Sequence, residues 1–232
     1  MIVFTDLDGT LLDHETYSCA AASEALSLLR QQGIPLILAS SKTAAEIAPL
    51  RHDLGFGQCE AIVENGAGML EPGAFEERAA DDYERILSWL ADLPDAFRSH
   101  FQGFSDWSVE EIAKRTGLSV SAAELAKQRN FSEPGLWSGD AQQFSAFCRL
   151  LKDHGLVAQQ GGRFLSLSFG GNKAEQMAEI RKRHEISHNP VFSIALGDAE
   201  NDVAMLEAAD LGVIIPNPTH KGIPRLAGEA NG

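Results

Sequence analysis

The stretch MIVFTDLDGT, residues 1–10, places two carboxylates, Asp6 and Asp8, directly after a short apolar run. Such a run is typical of a buried strand, and ligands of an open α/β sheet bind beyond the carboxyl ends of its strands. Side chains alternate along an extended chain, so residues two apart point the same way. The stretch therefore predicts a strand that presents Asp6 and Asp8 to one ligand, with a turn at Gly9 and Thr10.

Both ends of the chain repeat this strand pattern, and helical patterns separate the runs. The second apolar run, residues 34–40, follows a helical pattern at residues 20–33. The next helix opens at Thr43, with Glu46 in the capping-box position. Three more strand runs and two more helical patterns follow, at residues 61–65, 191–198 and 211–217 and at residues 172–186 and 201–209. This alternation predicts right-handed βαβ units and a parallel sheet.

The middle of the chain, from about residue 75 to residue 169, has fewer apolar strand runs and more polar residues. Helical patterns are found there at residues 81–93, 107–129 and 140–155. The second of these predicts two short helices, the later one opening with Ser121 and Glu124 as a capping box.

A predicted β-hairpin ends this middle segment, with two strands in residues 156–169 joined at Gly161-Gly162. We therefore expect an α/β fold in which one domain is built from both ends of the chain, and an α+β domain is inserted between them. The predicted boundaries are residues 1–78 and 171–232 for the first domain and residues 79–170 for the insert.

The charge balance limits the partners that the protein is expected to bind. The formal net charge is −14 and the isoelectric point is about 4.8, so the surface repels nucleic acid backbones and anionic lipid. We expect no nucleic acid partner, no membrane partner and a cytoplasmic location, because no long apolar stretch and no leader pattern is found. A small anionic ligand is compatible with this charge if cations are gathered locally.

The sulfur and imidazole residues do not form a metal-binding pattern. Cys19, Cys59 and Cys148 are far apart, and the seven histidines form no H-x-H or H-E-x-x-H motif. A metal site in this chain should therefore use oxygen ligands, which favours Mg²⁺.

Polar groups follow four of the predicted strands. They are Asp6 and Asp8; Ser40, Ser41 and Lys42; Glu64, Asn65 and Gly66; and Asp198, Asn201 and Asp202. Each group alone is typical of a helix cap or a turn, and Lys173 alone is typical of a solvated surface residue. Together at one sheet edge they predict an active site. An EF-hand is excluded, because Leu11 and Tyr17 stand where its loop needs Gly and Glu.

With these motifs the chain resembles the phosphatases of the haloacid dehalogenase superfamily. DLDGT after a strand, the Ser40 and Lys173 positions, and GDAEND at residues 197–202 match the four motifs of that superfamily in order. The insert resembles the type IIB cap. The resemblance implies a Rossmann-like core with a parallel sheet and an α+β cap domain of the C2B type.

The resemblance also implies roles for individual residues. Asp6 would be the nucleophile that forms an aspartyl-phosphate, and Asp8 the general acid and then the base. Ser40 and Lys173 would bind the phosphoryl oxygens. Mg²⁺ would be held by the Asp6 carboxylate, the Asp8 backbone carbonyl and Asp198, and Asn201 and Asp202 would orient those ligands.

Four segments narrow the resemblance to the mannosyl-3-phosphoglycerate phosphatases: residues 4–18, 40–47, 64–68 and 129–140. Most of the wider class has Gly and Arg where this chain has Ser41 and Lys42. The substrate implied is a small anionic phosphorylated sugar-glycerate, with Ser41, Lys42, Asn65, Gly66, Arg129, Ser132 and Glu133 as the expected contacts. For residues 132–135, a loop that turns at Pro134-Gly135 is an equal alternative.

Other functions remain open from the sequence. A phosphatase of the same type could act on another sugar phosphate or on the glucosyl analogue, and a phosphomutase would pass the phosphoryl group to another hydroxyl. A catalytically inactive ligand-binding module is disfavoured because Asp6 and Asp8 are both present. A nucleotide-binding regulator is disfavoured because the chain has no G-x-x-x-x-G-K-[ST] loop. The protein could be a monomer or a homodimer.

Overall fold

The structure is a computed structural model, and it describes residues 1–14, 16–76, 81–161, 163–185, 190–217 and 222–223. Elements are numbered in chain order. The strands are β1 (Ile2–Thr5), β2 (Leu36–Ala39), β3 (Ala61–Val63), β4 (Gly68–Leu70), β5 (Phe101–Gly103), β6 (Ser132–Trp137), β7 (Val157–Gly161), β8 (Phe164–Ser168), β9 (Ser193–Gly197) and β10 (Leu211–Ile214). The α-helices are α1 (Ser23–Gln31), α2 (Ala44–Asp53), α3 (Asp82–Ala91), α4 (Asp95–Arg98), α5 (Val109–Thr116), α6 (Val120–Ala126), α7 (Ala141–Asp153), α8 (Lys173–His184) and α9 (Val203–Ala208).

Within the described residues, six strands form the larger sheet, in the order β10-β9-β1-β2-β3-β4. Every neighbouring pair from β10 to β3 is parallel, and only β4 runs antiparallel, against β3. The mixed α/β class with a mostly parallel sheet is confirmed. The short antiparallel strand β4 was not predicted.

Both faces of the larger sheet are covered, which explains why its strands are apolar on successive residues. On one face, Val3 and Leu38 pack with Leu26 of α1 and Ile47 of α2. On the other face, strand residues pack with buried residues of α8 and α9: Ile2, Phe4, Ile37, Met177, Ile180, Met205 and Leu206. The predicted capping box of α2 is present, with Thr43 and Glu46 each accepting from the other's backbone N–H. These contacts fix the carboxyl ends of the central strands.

The four strands of the second described sheet have the order β5-β6-β8-β7 and are antiparallel throughout. Residues of α3 and α7 pack on one face of it, with Phe101, Phe147, Leu151, Leu165 and Leu167 buried. A smaller cluster joins α5 and α6 to Phe104 and Trp107. The predicted boundary between residues 78 and 79 lies outside the described residues, and the division into two domains stays a prediction.

Two local expectations in this second sheet and its helices, one of them an alternative, are wrong. The N-cap of α6 is Ser119, whose hydroxyl accepts from the backbone N–H of Ala122, so Ser121 and Glu124 form no capping box there. Pro134-Gly135 is not a turn, because both residues lie inside β6. Pro134 stands one residue beyond the paired end of β5, so its missing N–H interrupts no bond to that strand.

The hairpin of β7 and β8 is present, but Gly161 pairs with Phe164 and belongs to the strand. Gly162, the second residue of the predicted turn, lies outside the described residues. None of the helices that the structure describes is long and apolar enough to cross a membrane.

Candidate active site

The parallel register brings the strand ends together at one edge of the larger sheet. Thr5 pairs with both Leu38 and Leu196, so the residues that follow β1, β2 and β9 lie at the same level. They open into a cavity of about 360 Å³ between this edge and the second sheet. Its walls include Asp6, Asp8, His14, Tyr17, Ser40, Ser41, Lys42, Glu46, Asn65, Phe104, Leu118, Ala126, Arg129, Gly161, Arg163, Phe164, Ser166, Asp198 and Asn201.

Lys173 is the buried cation at the base of this site. Its ammonium, on a side chain 1% exposed, lies 2.7 Å from Asp6 Oδ1 and 2.7 Å from Asp202 Oδ1. Burial alone would lower the pKa of Lys173, but Asp6 and Asp202 outweigh burial and raise it. Lys173 is therefore a fixed positive charge beside Asp6. The residue is the first of α8, which begins after the N-cap Asn172.

The acidic groups outnumber this cation. Burial raises the pKa of Asp6 to about 7, Lys173 opposes the rise, and Asp202 and Asp198 add to it. Carboxylate oxygens of Asp6, Asp198 and Asp202, all buried, lie within 4.8 Å of one another. Such crowding favours a bound cation, because a divalent ion between the carboxylates would remove their repulsion.

The residues fit a hard divalent cation such as Mg²⁺. Asp198 accepts hydrogen bonds from Thr10 at Oδ1 and from Asn217 at Oδ2, which orient its carboxylate. Asp202 is held more completely, because Lys173 contacts Oδ1 and the backbone N–H groups of Asp198 and Ala199 donate to Oδ2. Asp202 is thus better placed to orient this site than to be a ligand.

Gly9 is required where the chain turns away from the site. Its φ is +87°, and a Cβ added there would lie 2.7 Å from Asp198 Oδ2 and would also collide with Asn217. An L side chain would therefore displace the groups that orient Asp198. The predicted turn at Gly9 and Thr10 is confirmed.

The residues after β2 line the wall opposite Asp198. Ser40 is buried and accepts from the backbone N–H of Lys42, while Ser41 is exposed to the cavity. The Lys42 ammonium lies 2.8 Å from Asp8 Oδ2 and 4.0 Å from Glu46 Oε1. Ser40, Ser41 and Lys42 thus line the same cavity as Asp6 and Asp8, and their roles stay predictions.

The residues after β3 adopt backbone conformations that are uncommon for non-glycine residues. Glu64 and Asn65 have φ values of 49° and 60°. Asn65 lines the cavity and its side-chain oxygen accepts from Asn201 Nδ2 at 3.2 Å. Gly66 packs against the backbone of Asn172 and Lys173 and so supports the start of α8. It is not among the described residues that line the cavity.

Arg129, Ser132 and Glu133 were expected to contact substrate, and the structure gives them internal partners. Arg129 Nη2 lies 3.2 Å from Glu64 Oε2 and 3.3 Å from the carbonyl of Ser41. The Ser132 hydroxyl donates to the same Glu64 oxygen at 2.6 Å. Of the three, only Arg129 lines the cavity within the described residues, and the substrate role of all three stays a prediction.

Glu133 is fully buried in the second sheet. Tyr83 OH donates to its Oε2 at 2.9 Å, and the backbone and hydroxyl of Ser105 donate to Oε1. Burial raises the pKa of Glu133, and the bonds from Ser105 and Tyr83 oppose that rise. These contacts tie β6 to its neighbours.

Sequence reasoning missed several residues of the site. Glu64 was noted at a strand end but not assigned, although it accepts bonds from Arg129, Ser132 and the backbone of Asn130. Tyr17 lines the cavity with φ 53°, and its ring faces Lys42 Nζ at 5.8 Å. The apolar part of the wall comes from the second sheet and its helices, with Phe104, Leu118, Ala126 and Phe164. Positive φ at Tyr17 and Glu64 has no sequence signal, because neither residue type favours that conformation.

Comparison with known families gives a match along almost the whole chain. A model of the haloacid dehalogenase-like hydrolases matches residues 3–134 and 135–223.

Two relatives share the name glucosyl-3-phosphoglycerate/mannosyl-3-phosphoglycerate phosphatase. The one from Persephonella marina is 33% identical over 95% of this chain and 87% of its own. The one from Methanococcoides burtonii is 33% identical over 97% of this chain and 88% of its own.

Solved structures support the same fold. A haloalkanoate dehalogenase superfamily phosphatase from Bacteroides thetaiotaomicron has a TM-score of 0.64 at 21% identity, covering 92% of this chain and 82% of that one. A subclass IIB sugar phosphatase of that superfamily has a TM-score of 0.61 at 17% identity, covering 90% and 84%. At these identities the likeness concerns the fold alone.

Proposed function

Because this chain belongs to the haloacid dehalogenase-like hydrolases and is a phosphatase, we propose that it dephosphorylates mannosyl-3-phosphoglycerate through an aspartyl-phosphate. The observation that supports this chemistry best is the contact of the buried Lys173 ammonium with Asp6, 2.7 Å away, at the base of the cavity. The two relatives support the substrate, since both are named for the mannosyl and glucosyl compounds.

Asp6 is the proposed nucleophile. One of its oxygens forms a bond to phosphorus while the bond from phosphorus to the leaving oxygen breaks. Asp8, two residues on, gives its proton to that oxygen, so that the sugar-glycerate leaves with a neutral hydroxyl group in place of an alkoxide. Asp8 then takes a proton from water, the water oxygen bonds to phosphorus, and the bond to Asp6 breaks. Inorganic phosphate is released and both carboxyl groups return to their starting states.

Lys173 and Ser40 are the proposed binding groups for the phosphoryl oxygens. The Lys173 charge is fixed before substrate arrives, because Asp6 and Asp202 hold the ammonium from two sides. A fixed charge stabilises the transition state without the cost of reorganising. Ser40 is buried and lines the cavity together with Asp6.

Mg²⁺ is the proposed cofactor, held by the Asp6 carboxylate, the Asp8 backbone carbonyl and Asp198. When bound, it would neutralise phosphoryl charge and position that group for attack. Asn201 and Asp202 would orient these ligands, and Thr10 and Asn217 would fix Asp198. The surplus of buried carboxylates over the one buried ammonium supports a cation at this place.

The cavity suits a phosphorylated sugar-glycerate. Its volume of about 360 Å³ falls in the usual range for small-molecule sites, roughly 300–1,000 Å³. The end formed by the strand carboxyl ends is polar, and the end formed by Phe104, Leu118 and Phe164 is apolar. We propose that the residues of the second sheet form a cap domain, that Ser41, Lys42, Asn65 and Arg129 adjoin the substrate, and that the apolar end receives the sugar.

The test is Mg²⁺-dependent release of phosphate from four kinds of ester. They are mannosyl-3-phosphoglycerate, glucosyl-3-phosphoglycerate, 3-phosphoglycerate and a set of sugar phosphates. The proposal expects the highest kcat/KM with the mannosyl compound. Preference for the glucosyl compound would contradict the assignment of mannose as the sugar. Preference for sugar phosphates would contradict the assignment of a sugar-glycerate as the substrate class. Transfer of the phosphoryl group to an added sugar in place of water would indicate a phosphomutase.

A further inference from the structure

Lys42 makes its closest ionic contact with Asp8. Its ammonium lies 2.8 Å from Asp8 Oδ2, while the nearest Glu46 oxygen is 4.0 Å away. The ring of Tyr17 lies 5.8 Å from the same nitrogen. The Lys42 side chain is only 16% exposed. This lysine therefore reaches across the cavity from the end of β2 to the proposed acid, and the Tyr17 ring limits its contact with water.

The backbone that carries Lys42 is fixed on several sides. Its N–H donates to Ser40 Oγ, and its carbonyl accepts from the backbone N–H of Glu64 at 2.9 Å. The next residue, Thr43, is the N-cap of α2 in a complete capping box with Glu46. A side chain that leaves such a base has fewer positions for its ammonium than one on a free loop. The fixed backbone of Lys42 therefore helps its ammonium to hold the Asp8 carboxylate in one position.

The Asp8 carboxylate is fixed by this contact at one oxygen only. Oδ2 meets Lys42, whereas Oδ1 is buried and accepts no hydrogen bond from the residues that the structure describes. An ion pair at one oxygen limits rotation of the carboxylate and leaves the other oxygen without a hydrogen-bond partner among the described residues. That arrangement suits a group that has to deliver a proton along one direction.

We propose that Lys42 is a positioning residue for Asp8, holding the carboxyl group in the orientation from which it gives its proton to the leaving oxygen. This inference rests on the proposed function, since it needs Asp8 to act as the acid. It differs from the expectation that Lys42 binds substrate directly, because its ammonium is already engaged by Asp8. The pair itself contributes little to stability, because Asp8 is 38% exposed.

Three small esters separate the possible roles of Lys42. Glycerol 3-phosphate has an alkyl leaving group that needs a proton, and 3-phosphoglycerate adds a carboxylate to the same kind of leaving group. p-Nitrophenyl phosphate has a leaving group that departs without a proton. We use kcat/KM throughout, because it reports the first phosphoryl transfer, in which Asp8 gives its proton.

For Lys42→Met we expect kcat/KM to fall about 10²-fold on both alkyl esters, the lower range for general acid catalysis, and less than about threefold on the aryl ester. Lys42→Arg should recover most of the loss, because an arginine keeps the charge that faces Asp8. In an Asp8→Asn background, Lys42→Met should have no further effect on the alkyl esters. Lys152→Met, which removes an exposed lysine of α7, should match the wild type on all three.

Each other outcome overturns the proposal in a recognisable way. Loss on 3-phosphoglycerate alone would mean that Lys42 binds the substrate carboxylate. Equal loss on all three esters would mean a general structural role, and melting curves would locate it in the fold. A further loss in the Asp8→Asn background would show that Lys42 acts apart from Asp8. If the wild type released no phosphate from these three esters or from mannosyl-3-phosphoglycerate, the proposed function itself would be wrong, whichever way the variants behave.

Discussion

Two buried clusters of charge lie on either side of the cavity, and they differ in balance. At the base, the carboxylates of Asp6, Asp198 and Asp202 share one buried ammonium, that of Lys173. At the junction with the second sheet, Glu64 faces one guanidinium, that of Arg129. Both lie in low-dielectric surroundings, but the first has an excess of negative charge and the second has none.

The balanced cluster is also saturated with hydrogen bonds. Glu64 accepts from the Arg129 side chain, from the Ser132 hydroxyl at 2.6 Å and from the backbone N–H of Asn130 at 2.9 Å. A buried ion pair is tolerated when its remaining hydrogen-bonding capacity is satisfied, as it is here. We infer that the balanced cluster maintains the fold, whereas the unbalanced cluster holds charge available for a cation and a phosphoryl group.

Asp6→Asn tests the difference between the two clusters most directly. Loss of the proposed nucleophile should lower kcat by at least about 10³-fold, while the melting temperature stays equal or rises because one repelling carboxylate is gone. Phosphate release and thermal unfolding check the two parts separately. Near-normal turnover would contradict the nucleophile assignment, and a large loss of stability would contradict the view that this cluster is not structural.

Arg129→Met, in contrast to Asp6→Asn, should lower the stability of the fold. It leaves Glu64 buried without its cation, and breaking one partner of a buried ion pair costs about 3–5 kcal/mol in the free energy of unfolding. Urea unfolding measures this. Arg183→Met, which breaks exposed contacts to Glu71 and Glu179, is the matched control and should cost less than about 1 kcal/mol.

The activity of Arg129→Met decides whether Arg129 also contacts the substrate. A larger kcat/KM loss on mannosyl-3-phosphoglycerate than on p-nitrophenyl phosphate would favour the predicted substrate contact of Arg129. Equal losses on both esters would assign this residue to the fold alone.

Asp198→Ala tests whether the unbalanced cluster is a cation site. We expect the Mg²⁺ concentration for half-maximal activity to rise at least about tenfold, because a proposed ligand is lost. A titration of phosphate release with Mg²⁺ measures this. An unchanged Mg²⁺ dependence would count against Asp198 as a ligand.

The pH dependence of stability should also differ between the wild type and Asp6→Asn. Burial raises the pKa of Asp6 to about 7 from an ordinary value near 3.8, so the folded state holds its proton more tightly than the unfolded chain. Without Mg²⁺, Asp6 therefore lowers stability as pH rises from about 4 to 7, by on the order of 1 kcal/mol per pH unit at most. Urea unfolding of wild type and Asp6→Asn at several pH values should give a steeper fall for the wild type. Parallel curves would contradict this.

The unbalanced cluster could be predicted from sequence, and the balanced one could not. Asp6, Ser40 and Asp198 each follow an apolar run, and parallel strands bring their carboxyl ends to one edge. Glu64 and Arg129 are 65 residues apart, and no local pattern connects them. Their pairing depends on how the second sheet packs against the first, which is a tertiary property.

The fold shows the same division between local and tertiary signals. The capping box of Thr43 and Glu46 was predicted because four consecutive residues define it. Strands β4 and β5 have three residues each, which is too short for a period to be seen. In β6, Pro134 and Gly135 indicate a turn by themselves, and pairing with β8 overrides that preference.

The smallest expected effect concerns α6, the helix that leads to Arg129. Two serines near its start compete for the capping role: Ser119 accepts from Ala122 N–H, while Ser121 lies inside the helix and is exposed. Ser119→Ala should lower the free energy of unfolding by about 1 kcal/mol, because an N-cap hydroxyl satisfies one of the free N–H groups of the first turn.

Ser121→Ala is the comparison variant. It removes the contact of the Ser121 hydroxyl with the Ser119 hydroxyl at 3.0 Å but leaves the Ser119 cap in place, and alanine favours a helix interior, so it should lower stability less than Ser119→Ala does. The reverse order of the two variants would mean that α6 begins at the later serine, as its sequence pattern indicated. Because the carbonyl of Leu125 in α6 accepts from the Thr43 hydroxyl, a later start would leave fewer helical residues ahead of this contact with α2. The size of the Ser119 effect therefore measures how much this cap contributes to holding α6 in place against α2.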